Sequence, residues 1–154
     1  MLRRRVAVLV VALLLSTPVV TAWLVGDLTG GAARQLAAEG EPLDYAVEPV
    51  SLGAVGDRVL VAVAGALMVV SLVLLIRATV SRKLEPRWWL ALVPLMLAGV
   101  LLGVGWRIMT AGAIGANIGA GLVVLVGGPV LLVLLGVAAV QAARLRREHR
   151  HRVG

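Results

Sequence analysis

From Leu122 to Val140, nineteen consecutive residues carry no charged or polar side chain. A helix of that length runs about 28 Å, close to the roughly 30 Å hydrocarbon core of a bilayer. A run so uniform has no polar stripe to turn towards water. It predicts a membrane span rather than the face of a soluble helix. The run lies within a longer stretch, Trp106 to Arg147, which opens on an aromatic and a cation, holds seven glycines and closes in a basic cluster.

Three further apolar runs have the same scale. Val6 to Val25 follows the basic head Arg3-Arg4-Arg5. It reads as a first span, with a cleaved signal peptide ending at Val20-Thr21-Ala22 as the competing reading. The length of the run and the interfacial position of Trp23 favour a retained span. The second span is expected over 58–76, with Asp57 as its N-cap. The third is expected over 88–106, with Pro86 in the first turn of its helix and Pro94 kinking its middle. The fourth is expected over 118–143, with a second kink at Gly127-Gly128-Pro129. All four tryptophans, Trp23, Trp88, Trp89 and Trp106, fall at expected span ends, where amphipathic rings anchor to headgroups. Residues 107–121 are too glycine-rich for a confident helix and too apolar for an ordinary loop. Two forms are open there: an early start of the fourth helix near Thr110, or a tight loop or re-entrant piece before it.

Charge orients these spans. The head, the link between spans two and three, and the tail 144–154 together hold twelve Lys/Arg against Glu85 and Glu148, a net +10. The opposite side holds Arg34, Arg58 and Arg107 against six carboxylates, a net −3, which completes the formal +7 of the chain. Basic residues flanking spans are retained in the cytoplasm. The expected fold is thus an all-α, four-transmembrane-helix bundle forming a single membrane domain over 1–154, with both termini cytoplasmic. One acidic extracytoplasmic loop of 32 residues, 26–57, folds down over the helix ends. Two helical turns are expected in it over 32–38. The Ala/Val/Leu/Gly/Arg-rich composition points to a bacterial cell-membrane protein from a GC-rich genome.

The cations lie against anionic lipid, and no aromatic interleaves with those of the tail, which argues against nucleic acid as a partner. The chain has no Cys, which excludes thiolate metal sites and Cys nucleophiles. No ionisable residue falls mid-span, so a proton relay or ion-coupled carrier has nothing to work with. A haem would lack a span histidine. Glu148, His149 and His151 make a poor metal site among repelling arginines. No catalytic set, cofactor or metal is expected.

What stands out instead is a pattern of small residues. Gly99 and Gly103 form one GxxxG pair, and Gly115 and Gly119 another, with Gly112 in line. Lipid removes the apolar driving force between helices, so close backbone approach at small residues matters. These glycines, with Asn117 and Gly128, are the candidate helix interface, serving either a partner or packing between spans three and four. Asp27, Asp57, Arg58 and Arg107 are candidates for an ion-pair cluster at the loop end. The expected function is that of a non-enzymatic accessory or interaction subunit, whose partners are the lipid bilayer and a membrane protein or second copy. Two alternatives stand beside it. One is a transporter or channel component using Asn117 and the Gly127 to Pro129 break; the other is an envelope sensor using the loop.

Overall fold

The structure, a computed structural model, describes residues 2–40, 43, 45–112 and 116–151. For residues 2, 3, 116, 117, 146 and 148–151 only the backbone is described. Every regular element is helical: α1 (Leu2–Val25), α2 (Gly31–Ala38), α3 (Gly53–Val80), α4 (Trp89–Met109), α5 (Ala116–Leu122) and α6 (Gly128–His151). A 3-10 turn, Pro86–Trp88, leads into α4, and a π-helical segment, Val123–Gly127, joins α5 to α6. Four stretches are long and apolar enough to cross a membrane: Arg4–Val25, Gly53–Val80, Pro86–Met109 and Ile118–Leu145. The helices exceed the expected spans mainly at their ends, where polar flanks continue the backbone ladder beyond the apolar core.

The expected bundle takes the form of a row, α3–α1–α4–α6. α1 packs closely on both α3 and α4, whereas α6 packs on α4 and on the 3-10 turn. The inner helices are therefore α1 and α4, and the buried core gathers around α1. Leu13 is fully buried there with Leu75 of α3 and Leu84 of the following link. Trp88, Trp89 and Met96 close over this cluster from α4 and its approach.

The basic end is held by backbone geometry. Arg82 takes φ 54°, the left-handed cap conformation. Its N–H bonds to the Thr79 carbonyl, and the Lys83 N–H bonds to the Ala78 carbonyl. Those two bonds are a Schellman motif, which satisfies carbonyls that a helix end leaves without partners. The Thr79 hydroxyl donates to the Leu75 carbonyl and accepts from the Trp89 indole N–H at 3.0 Å, tying α3 to α4. Trp89→Phe keeps the packing but removes that bond; a loss of about 1 kcal/mol in an SDS unfolding titration is expected. No loss would mean that α3 and α4 are joined by packing alone.

Two local expectations are corrected. Asp57 does not cap α3, which starts at Gly53 with Leu52 as N-cap. Its carboxylate instead reaches back one turn, accepting from the Leu52 N–H at 2.9 Å and the Ser51 hydroxyl at 2.8 Å. This resembles the reciprocal half of a capping box, in which an acid inside the helix satisfies the N–H of the cap residue. The break around Pro129 is likewise not a bare kink. Proline offers no N–H and its ring presses on the carbonyl four residues back. The preceding turn widens into the π segment, and the Gly128 N–H is shared by the Val123 and Val124 carbonyls. Hydrocarbon supplies no hydrogen bonds, so local π geometry that re-pairs the backbone is preferred. Helix α4 stops at Met109 and residues 110–112 are not helical, so the fourth helix does not begin near Thr110.

Candidate helix-interaction site

The glycine pattern meets α1 first. α1 and α4 run in the same direction, and their small residues mate at a constant offset, Thr17 against Gly99 and Thr21 against Gly103. A Cβ placed at Gly99 would sit 3.1 Å from Thr17 Cβ. At Gly103 it would sit 2.5 Å from the Pro18 carbonyl oxygen and 2.7 Å from Thr21 Cβ. The two backbones therefore approach as closely as glycine permits. Packing of Gly99 and Gly103 against span four is thus corrected: their partner is span one. The reason lies on α1, where hydroxyls that would face lipid are turned inward. Thr17 and Ser16 are buried, and both donate to the Leu13 carbonyl, at 2.7 and 3.1 Å.

Span four uses a different pair. A Cβ placed at Gly105 would sit 3.1 Å from Val123, and one at Gly119 would sit 3.3 Å from Ile108. The position of Gly105 in this contact depends on where the π segment lies. Gly112 is covered by the loop, with Leu43 and Tyr45 against it. Gly115 lies outside the described residues, as does the side chain of Asn117, whose backbone is in α5. The side chains of Glu148, His149 and His151 lie outside them too.

Gly128 differs from the others. A Cβ there would meet nothing within 4 Å, nor would one at Gly136. α6 buries Ala138 and Leu145, seven residues apart on one face, against its neighbours. Elsewhere it is open: 6% of the most apolar eighteen residues of Ile118–Leu145 is buried, against 33% of those of Pro86–Met109. Beside the π segment a groove of about 670 Å³ separates α6 from the last turns of α4, with an apolar lining that includes Trp106, Val123 and Leu131.

The four charged candidates divide. Arg107 donates from Nε to the Ala22 carbonyl at 2.6 Å. That carbonyl belongs to the last turn of α1, where partners run out and the helix dipole favours a cation. Gly26, at φ 75°, turns the chain just beyond it. Asp27 pairs with Arg34 at 3.2 Å and accepts from the Thr29 N–H at 2.9 Å. Asp57 serves Ser51 and Leu52, and Arg58 stands exposed. The expected single cluster is thus two local devices, because each carboxylate finds a nearer backbone N–H first.

The loop is tied to the end of α4 by the same logic. Val47 N–H donates to the Met109 carbonyl, and Gly112 N–H donates to the Thr29 hydroxyl. Thr110 returns both its N–H and its hydroxyl to Trp106. The Thr29 hydroxyl and N–H hold the Asp27 carboxyl below its usual range, helped by Arg34 and Arg107 and opposed by slight burial. A depressed carboxyl stabilises the fold above its unfolded pKa and loses that contribution as pH falls through the folded one. Protection of 27–34 from hydrogen exchange is expected to hold down to about pH 4 and to fall below it. Asp27→Asn should remove the pH dependence. Loss of protection near pH 6 would contradict this account.

Comparison with protein-family models, with curated proteins and with solved structures gives no match for this arrangement of helices.

Proposed function

We propose that this protein is a small non-enzymatic subunit of a cell membrane, joined to another transmembrane helix through the open face of α6. The observation that carries the reading is the contrast between glycines. Those of α4 have their space filled from within the chain, while two on α6, Gly128 and Gly136, keep theirs open; the interior of α3 has one such glycine, Gly65, and more of its apolar stretch is buried. Small residues on a lipid-facing helix permit the close approach on which membrane association depends. The twelve basic residues flanking one set of helix ends support cytoplasmic termini. A structural use of the buried hydroxyls Ser16, Thr17 and Thr110, each bonded to a carbonyl of its own helix, supports a non-enzymatic role.

Absence of native cysteine makes the test direct. Gly136→Cys in native membranes is expected to yield a disulfide-linked dimer or a cross-link to a neighbour upon oxidation. Val70→Cys, exposed on α3 and turned away from the open Gly65, is expected not to. Equal behaviour at the two positions would overturn the assignment of the face. A transporter or channel component is the second reading, supported by the π segment beside the α4–α6 groove. It requires solute flux in proteoliposomes that Asn117→Leu abolishes.

A further inference from the structure

The opposite flank of the row carries a second groove, of about 590 Å³, between α1 and α3. Its walls are apolar for most of their length. Val8, Val11 and Leu15 line it from α1, and Val63 and Leu67 from α3, all of them exposed. One charged side chain lines it, Arg4, at the basic end. Arg77 is exposed near the corresponding end of α3 but does not belong to the lining. Arg5 is exposed but does not belong to the lining.

We infer that this groove seats one anionic phospholipid of the leaflet at the basic end, its phosphate against Arg4 and an acyl chain along α1. Dimensions and charge agree. From Arg4 to Leu15 the helix rises about 16 Å, and half of a 30 Å hydrocarbon core is about 15 Å. A chain rooted at Arg4 therefore reaches Leu15 at the bilayer midplane. Arg4 stands just before the apolar run that begins at Val6, at the level of the lipid headgroups, where a phosphate meets it directly. An anionic headgroup supplies its counter-charge. The site is separate from the α6 face and does not depend on it.

The test uses the full chain in nanodiscs of phosphatidylcholine containing a minority of phosphatidylglycerol, with retained lipid counted by native mass spectrometry. The wild type is expected to hold one phosphatidylglycerol, enriched about fivefold over its share, the factor one basic residue provides beside an anionic headgroup. Arg4→Gln should lose the enrichment, Arg4→Lys should restore most of it, and Arg5→Gln should change it little. Val11→Trp, at an exposed position, should displace the lipid while leaving the helical circular dichroism unchanged. Equal retention of the two lipids by the wild type, or unaltered enrichment in Arg4→Gln, would overturn the site. So would a disulfide-linked dimer through Val11→Cys in membranes, which would place a second copy there.

Discussion

Gly103→Val is expected to destabilise the protein more than any other single glycine replacement. The added Cβ has no flexible side chain to displace. It meets the Pro18 carbonyl oxygen and comes within 3.0 Å of the Ala22 backbone nitrogen, so α1 and α4 must separate. Overpacking of a tight contact costs about 1–3 kcal/mol, and rigid backbone on the far side places this case at the upper end. Separation also strips Arg107 from the Ala22 carbonyl, adding a hydrogen bond to the loss. SDS unfolding titrations should therefore show a fall of roughly 3 kcal/mol. Gly99→Ala, whose Cβ would stand 3.1 Å from Thr17 and meet no backbone atom so closely, should show a smaller fall. Gly136→Val, in open space, should stay within about 0.5 kcal/mol of the wild type. Equal stability of Gly103→Val and the wild type would remove α1 from the face of α4.

A chain lacking residues 2–22 is expected not to fold at all. Among the described helices, α1 is the one that packs extensively on both α3 and α4. Its loss leaves Leu75 without Leu13 and exposes Gly99 and Gly103 as a vacant trough. Leu13→Ala alone should cost about 2–5 kcal/mol, as other leucines buried to this degree do. Supplying residues 1–25 as a separate peptide should restore helical structure and resistance to SDS. The chain isolated from membranes should accordingly still contain residues 2–22. A stable, folded product beginning at Trp23 would refute the place of α1 in the core.

Much of the fold was legible because hydrocarbon is a simple solvent. It demands about twenty apolar residues per crossing, helices whose backbone bonds are internal, and tryptophans at the margins. Those demands are local, so runs of Leu and Val, the prolines and the four tryptophans carry them openly. The two turns of α2 were legible in the same way. Helix ends were less so: Asp57 had the composition of a cap, but its carboxylate acts from inside α3 upon Leu52. A cap is defined by which N–H a side chain reaches, and several acids near a helix start can satisfy that composition.

The interaction site was legible in kind but not in pairing. GxxxG marked Gly99 and Gly103 as close-approach positions, yet nothing in their spacing told span one from span four. Thr17 and Thr21, one helical turn apart, hold the matching signal, visible only once α1 and α4 are known to run side by side in the same direction. The π segment was hidden for a related reason: Pro129 announces that the ladder breaks, and the neighbouring carbonyls decide how it is repaired.

By itself, then, the amino-acid order determined that four stretches suit hydrocarbon, that basic residues gather at one set of their ends, and where backbones can touch. Each of these is a property of one segment and its solvent. Only the tertiary structure decided that the buried core gathers around α1, that the α4 glycines are spent on it, and that α6 is left with an open face. The physical reason is that apolar helices in lipid gain little from one neighbour over another by burial. Their order follows from steric fit between small residues on different helices, which no single segment encodes.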